Sequence, residues 1–386
     1  MFDLNECIRC GTCLESCPVI DLDIVQAQEE IENLINGSSF IVDECSICGT
    51  CDLNCPNNLT PMDLIKELKC AKVKELEENN KIRRSNKFLF PFHKPNIFRF
   101  YESIMMSPNE AKNLEKWKAP QKSKELVLLG CAISYFMQDF FLNPIIEGLL
   151  KGKTIAGGIR FCCGEVYHRA CFPFSKNEAE NRLYSIFSEL GVEKLIIMCN
   201  ECYEAYNNEY KRISNDFMLV SIWEIIAKAI ESGDLNITHK LDYSVVFQDQ
   251  CVIKKYPLLM EYPRKIIETT GCKIIELEHN RENALCCGLP LGLTNRKAME
   301  KTRRKRFKEI KKADTKYVIN TCIGCIFNFS LDFKIQMGEY KILSVLDLLR
   351  MSCGEEIDLY KNINLFNSII NTSMEMAAKR RSTINQ

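Results

Sequence analysis

Apolar residues follow two different rhythms along this chain of 386 residues. Residues 21–35, DLDIVQAQEEIENLI, place them three and four apart, the spacing of one helix face. Residues 58–78, NLTPMDLIKELKCAKVKELEE, do the same; Thr60 is placed to cap, Pro61 suits the first helical position and Asp63 the first turn. Further along, short runs rich in Leu or β-branched residues take over: ELVLLG (125–130), LIIM (195–198), SVVFQDQ (244–250) and YVINT (317–321). Such runs predict buried parallel strands. KNEAENRLYSIFSEL, followed by Gly191, predicts a helix with its C-terminal stop. Strands alternating with helices predict a parallel α/β sheet. Residues 80–123 mix prolines, basic residues and aromatics with helical pieces and read as a connector packed across its neighbours. The last stretch, IINTSMEMAAKRRSTINQ, reads as a helix ending in a loose tail.

Bulk composition mainly excludes. Net charge is zero and the sequence pI is about 6.9, so charge does not argue for nucleic acid or a membrane surface. The basic, aromatic connector is the one stretch whose composition suits single-stranded nucleic acid, and zero net charge tells against it. No run approaches the 18 or so apolar residues of a spanning helix. MFDLNECIRC is no secretory leader, so the expected location is cytoplasmic, or peripheral to a membrane through a partner. A hydrophobic content of 46% supports two or three domains. The 22 cysteines change the picture most. Disulfide scaffolds are short and secreted, whereas cytosolic thiols stay reduced, so metal binding is the expectation.

Spacing tests it. Residues 7–18 read CIRCGTCLESCP and residues 45–56 read CSICGTCDLNCP, two copies of C-x2-C-x2-C-x3-C-P offset by 38 residues. This is the bacterial ferredoxin run, in which three close cysteines wrap one [4Fe–4S] cube and the fourth reaches to the other. Cys7, Cys10, Cys13 and Cys55 are therefore expected to hold one cluster, and Cys45, Cys48, Cys51 and Cys17 the second. Pro18 and Pro56 turn the chain out of each loop. Zinc also binds paired C-x2-C units, but has no use for this longer cadence. The 27 residues between Cys17 and Cys45 leave room for an inserted helix.

A second constellation starts at Cys131. It continues with Cys162, Cys163 and Gly164, then Cys199 and Cys202. It recurs as Cys251, then Cys286, Cys287 and Gly288, then Cys322 and Cys325, offset by 120, 124 and 123 residues. Repetition at a long fixed period predicts two copies of one unit. Ligands of open α/β sheets sit beyond the carboxyl ends of strands, so cysteines that follow strands converge. Five thiolates are one too many for an ordinary cube, which points to an unusual, larger cluster in each copy. Gly164 and Gly288 would let the backbone come close to it. Buried, unliganded cysteine is the plain alternative, common for one residue and hard to extend to ten.

These motifs carry a resemblance. The helix between the first two motifs is similar to the helical ferredoxin domain of succinate dehydrogenase and heterodisulfide reductase. C-x30-CCG-x34-CxxC and its second copy resemble the CCG-domain family. That family includes the B and D subunits of heterodisulfide reductase and the iron–sulfur subunits of anaerobic glycerol-3-phosphate dehydrogenase, glycolate oxidase and lactate oxidation complexes. FCCGEVYHR and EHNRENALCCG look most like the D-type protein, a fusion of the C-type and B-type ones, and the order of parts over almost the whole chain is the same. The resemblance implies an α+β multidomain protein, a helical ferredoxin-type domain followed by two duplicated α/β CCG domains. The expected boundaries are 1–80 for the first, 81–123 for the linker, 124–240 and 241–360 for the CCG domains, and 361–386 for the tail. It further implies two cubane and two noncubane [4Fe–4S] clusters, the latter held by Cys131, Cys162, Cys163, Cys199 and Cys202 and by Cys251, Cys286, Cys287, Cys322 and Cys325. A thiol heterodisulfide such as CoM-S-S-CoB would be reduced, or formed, between them, with electrons from the ferredoxin-type pair; the clusters supply the chemistry and the protein supplies position. The other reading is a non-catalytic conduit linking a flavin dehydrogenase to a quinone or membrane partner. No dinucleotide fingerprint is present, so a flavoprotein, cytochrome b or ferredoxin partner is expected in either case. One departure stands out: CCGLPLGLTNRK, with Pro290 and bulky leucines, replaces the glycine-rich run of many relatives.

The remaining candidates are weaker. His168 and His279, near the two CCG motifs, are candidates to donate a proton or to bond a cluster sulfur, beside a plain structural role. Arg281 is a candidate partner for an anionic substrate. Residues 296–312 hold ten Lys or Arg against two Glu, a solvated helix face or a steering surface. Cys70, Cys171, Cys272 and Cys353 are expected to be packing cysteines.

Overall fold

The structure, a computed structural model, describes residues 2–82, 84–140, 144–292, 294–336 and 340–384. Leu293 of the departing run and residues 385–386 of the tail lie outside them.

The two ferredoxin-type loops have matching backbones. Arg9 and Ile47 share a left-handed φ (56° and 54°), as do Gly11 and Gly49 (80° and 79°), and each glycine starts a one-turn helix, Thr12–Glu15 or Thr50–Leu53. Only glycine fits at position 11: a Cβ there would stand 2.8 Å from the backbone nitrogen of Gln28. Between the loops runs the expected helix, Ile24–Ile35, started by a capping box of Asp23 and Gln26 and burying Ala27, Ile31 and Leu34. The helix Pro61–Glu78 follows with proline in its first turn. Thr60 does not cap it; its hydroxyl donates to the Asp63 carboxylate instead, at 2.9 Å.

All four predicted strands form. β1 (Glu125–Leu128), β2 (Thr154–Ala156), β3 (Lys194–Ile197) and β4 (Met218–Ser221) make one parallel sheet in the order β2-β1-β3-β4. β5 (Ser244–Gln248), β6 (Lys273–Ile274), β7 (Tyr317–Asn320) and β8 (Lys341–Ser344) make another in the order β6-β5-β7-β8, again parallel throughout. The two sheets thus share one strand order. Their central strands β1, β3, β5 and β7 are buried on both faces, which is why they read as continuous apolar runs. The helix Lys176–Glu189 packs Ala179, Leu183, Ile186 and Phe187 inward and ends before Gly191, as its periodicity predicts. Ile97, Phe98, Tyr101, Leu114 and Trp117 of the connector join the core around β1, β3 and the second sheet.

Among the described residues, no helix is long and apolar enough to cross a membrane.

Candidate iron–sulfur sites

The carboxyl ends of the strands aim the cysteines. Cys131 opens a short helix three residues after β1, Cys199 follows β3, Cys251 follows β5 and Cys322 follows β7. The adjacent pairs Cys162–Cys163 and Cys286–Cys287 come from the loops after β2 and β6. Sγ of Cys163 lies 3.5 Å from that of Cys202, and Sγ of Cys251 lies 3.7 Å from that of Cys286. Cys131 stands in hydrogen-bond contact with Cys162, and Cys287 with both Cys286 and Cys325. Cys202 also contacts Cys199, and Cys325 contacts Cys322, so each set of five gathers in one place. The backbone N–H groups of Gly164 and Gly288 point at Sγ of Cys162 (3.4 Å) and Cys286 (3.3 Å). A Cβ at Gly130 would meet Cys199 Cβ at 3.0 Å and Cys202 Sγ at 3.5 Å, so glycine there keeps the sulfurs approachable.

The ferredoxin-type cysteines gather in the crossed pattern. Cys7, Cys10, Cys13 and Cys55 line one small cavity; Cys17, Cys45, Cys48 and Cys51 line another. Burial, then the thiols of Cys55, Cys10 and Cys7, push Cys13 up to about 12. Burial likewise pushes Cys45 up to about 12 and Cys51 well above its ordinary value. Burial works the same way on Cys48, but Lys254 and hydrogen bonds from Thr50 outweigh it and bring that thiol down to about 7. In the sets of five, the hydrogen bond with Cys162 and burial hold Cys131 well up, and Cys325 is raised by its contacts with Cys287 and Cys322 and by burial. Hydrogen bonds from neighbouring thiols work the other way on Cys162, which is lowered by Cys131, and on Cys287, brought down to about 5 by Cys286 and Cys325. A cation placed among thiols so crowded would draw off the protons that remain. All-cysteine donor sets, crowded sulfurs and a glycine cradle fit iron–sulfur clusters. Among the described residues, no group of three or more His, Cys, Asp or Glu is arranged to hold a single metal ion.

A cavity of about 140 Å³ lies between the two sets of five, with Cys131 on one wall and Cys251, Cys287, Cys322 and Cys325 on the other. Its remaining lining is largely apolar, and the departing run supplies Leu289 and Pro290 to it. The charged groups at its edge are Arg169 and Glu201, 3.8 Å apart. Sequence reasoning passes over both. Arg169 donates to the backbone oxygens of Ser46 (3.1 Å) and Ile47 (3.4 Å) in the second ferredoxin-type loop and stands 4.0 Å from Cys286 Sγ.

The three candidate helpers lie elsewhere. His168 is buried, with Nδ1 3.3 Å from Glu165 and Nε2 without a partner. His279 meets Glu309 at 2.7 Å and lines a surface groove beside Cys17. Arg281 is engaged by Glu261 and Glu276, so its charge is answered by the chain's own carboxylates. None of the three lines the cavity. The basic helix Arg296–Lys312 keeps most of its Lys and Arg exposed, as a solvated face would, with exceptions. Arg303 and Arg306 are buried, on Asn328 and on the carbonyls of His279 and Leu285, while Lys301 and Lys305 pair with Glu44 and Asp21 of the N-terminal region. The expectation for Cys70 and Cys171 is corrected too. The apolar cluster of Val73, Phe90, Tyr167 and Phe172 brings them together, and they form a disulfide with Cα atoms 4.6 Å apart. Cys272 is buried and Cys353 partly so.

Two families match the sequence: a 4Fe-4S dicluster domain over residues 3–59 and a cysteine-rich domain, CCG, over residues 245–330. The second span contains Cys251, Cys286, Cys287, Cys322 and Cys325; the first set of five lies outside both spans. The chain is 22% identical over 344 residues to the EtfAB:quinone oxidoreductase of Syntrophomonas wolfei, covering 75% of this chain and 48% of that protein. It is 24% identical over 385 residues to the B subunit of fumarate reductase (CoM/CoB) from Methanothermobacter marburgensis (92% and 73%). It is 20% identical over 331 residues to the D subunit of dihydromethanophenazine:CoB--CoM heterodisulfide reductase from Methanosarcina mazei (76% and 80%). The chain spans about half the length, or less, of the first curated relatives it matches. A crystal structure of a hypothetical protein from Helicobacter pylori aligns with a TM-score of 0.47 at 14% identity, over 87% of this chain and 65% of that one. With the dicluster motifs in front and the CCG cysteines behind, the chain is similar to iron–sulfur oxidoreductases that carry the cysteine-rich CCG domain, the D subunit of heterodisulfide reductase among them.

Proposed function

We propose that this chain passes electrons from two cubane [4Fe–4S] clusters, held by Cys7, Cys10, Cys13, Cys55 and by Cys45, Cys48, Cys51, Cys17, to two noncubane clusters. Cys131, Cys162, Cys163, Cys199 and Cys202 hold one of these, and Cys251, Cys286, Cys287, Cys322 and Cys325 the other. In this reading the chain divides as its motifs do: a dicluster domain over 1–80, a linker over 81–123, two copies of the CCG unit over 124–240 and 241–360, and a tail. The substrate is a thiol heterodisulfide, reduced or formed in the cavity between the two sets of five. One observation carries the reading: Cys131 of the first set and four cysteines of the second line a single cavity, so one ligand would reach both. The clusters, when bound, supply the electrons and the iron that sulfur ligates. The chain's own residues position and exclude. Leu289, Pro290 and Phe98 keep water from the cavity, and Arg169 is the cation nearest to an anionic end of a ligand. A flavoprotein, cytochrome b or ferredoxin partner delivers or accepts the electrons.

The test is electron paramagnetic resonance on the anaerobically purified chain, oxidised with and without candidate thiols, including coenzyme M and coenzyme B. A new signal that appears with one particular thiol is the expected result. Ferredoxin-type signals indifferent to every thiol would overturn disulfide chemistry and leave a conduit between a flavin dehydrogenase and a quinone-linked partner.

A further inference from the structure

Two buried cations join the second ferredoxin-type loop to the second set of five cysteines, each from a different sheet region. Arg169 stands near the end of the helix Glu165–Ala170 beside the first CCG motif, and Lys254 follows the turn Cys251–Ile253. Both are almost wholly enclosed, at 5% and 4% exposure. Arg169 bridges Ser46 O, Ile47 O and Cys286 Sγ at 3.1, 3.4 and 4.0 Å. Lys254 donates to Thr50 Oγ1, which in turn lies 3.5 Å from Cys48 Sγ. Both cations also line a cavity of about 240 Å³ whose lining includes Cys48 and Cys251, with the carboxylates of Asp52, Glu165, Glu204 and Glu209. The first loop has nothing comparable among the described residues: its arginine, Arg9, is 52% exposed and pairs with Glu32 on its own domain.

We propose that Arg169 and Lys254 are positioning residues for electron transfer: they tune the cluster site of Cys17, Cys45, Cys48 and Cys51 upward in potential and make it the one that feeds the Cys251 set. This rests on the reading that the cysteine sets hold clusters. A cluster on four thiolates gains one negative charge on reduction, and an enclosed cation a few ångströms away favours that state more than an exposed one would. Arg169 also spans the gap physically, from the carbonyls of Ser46 and Ile47, between Cys45 and Cys48, to Cys286. An electron arriving at the first loop's cluster would then run downhill to the second, toward the cavity.

The experiment is a redox titration of the full, anaerobically purified chain, followed by electron paramagnetic resonance. Wild type is compared with Arg169→Gln, Arg169→Lys and Lys254→Met. Cys51→Ala identifies which of the two ferredoxin-type signals belongs to the second loop. Each loss of charge is expected to weaken reduction at that site about tenfold, ~59 mV for one electron, and to leave the other signal in place. Arg169→Lys, which keeps the charge, is expected to recover most of the shift, something a purely structural role would not predict. If Arg169→Gln does not fold, Lys254→Met carries the test alone. Unmoved potentials, or equal movement of both signals, overturn the inference and leave the cluster reading standing. Wild-type protein without [4Fe–4S] signals overturns both.

Discussion

The two ferredoxin-type loops have the same cadence, the same backbone and opposite surroundings. CIRCGTC and CSICGTC differ at two positions, and those positions register where each loop lives. Ile8 is 64% exposed, while its counterpart Ser46 is buried with its carbonyl turned to Arg169. Arg9 is exposed, while its counterpart Ile47 is buried. Thr12 lies on the surface; Thr50 is enclosed between Lys254 and Cys48. Identical ligand chemistry therefore sits in water-facing protein at one loop and in charged, enclosed protein at the other. Ligand spacing says which metal group a loop takes; the residues between the ligands say what that group faces.

The harshest way to break this comparison is to remove one cysteine from each loop. Cys13→Ala is expected to lose about four irons per chain and little else, since in the proposed assignment it ligates one [4Fe–4S] group. Cys51→Ala is expected to lose more than that, because Arg169 ties the carbonyls of Ser46 and Ile47 in its loop to Cys286 of the second set of five. Iron and acid-labile sulfide analysis of the two variants decides. Equal losses would mean that the second loop is no more tied to the CCG region than the first.

A gentler test concerns Lys69, whose ammonium is buried and donates to Cys45 O at 2.7 Å. Lys69→Met is expected to cost about 1.5–3 kcal/mol, the range for a hydrogen bond to a charged group, in an anaerobic denaturant titration. Burial of that cation is what lowers its own proton affinity, with the Cys45 thiolate and Asp43 opposing. The matched threonines sharpen the contrast further. Thr50→Val removes the acceptor of a buried lysine and should cost about 1 kcal/mol or more, whereas Thr12→Val should lie within about 0.5 kcal/mol of wild type. Equal effects at the two positions would dissolve the distinction between the loops.

Much of this arrangement could be read from residues alone, and the reason is covalent. Ligand cysteines must keep fixed spacings, and buried strands must be apolar on both faces, so Cys7 to Cys55, β1, β3, β5 and β7 leave strong local patterns. Arg169 leaves none. Its partners Ser46 and Ile47 stand more than 120 residues away and offer backbone carbonyls, which every residue has. Its one clue is closeness to the CCG motif, six residues after Cys163, and Lys254 has the same clue three residues after Cys251. The basic helix departs from its sequence pattern at Arg303 and Arg306 for a related reason. A run of like charges reads as solvated, but Arg306 is fully enclosed because carbonyls and Glu309 meet its guanidinium. Long-range pairs such as Cys70 with Cys171 depend on how separate elements dock, which no local window contains.

The smallest expected effect is the most pointed, because it puts an arginine from each loop's surroundings side by side. Arg9 meets Glu32 at 2.9 Å, but both side chains are about half exposed. In water the Coulomb gain of such a pair is small, two flexible side chains must be held still, and salt screens what remains. Arg9→Ala should therefore cost about 0–1 kcal/mol, and less again at high ionic strength. Arg169, enclosed and bonded to two carbonyls, has no solvent to replace its partners, so its removal should be insensitive to salt. Denaturant titrations of both variants at low and high salt separate the cases: a cost at Arg9 that persists in salt would show that the first loop, too, depends on an enclosed charge, and the asymmetry drawn between the two cluster sites would fail.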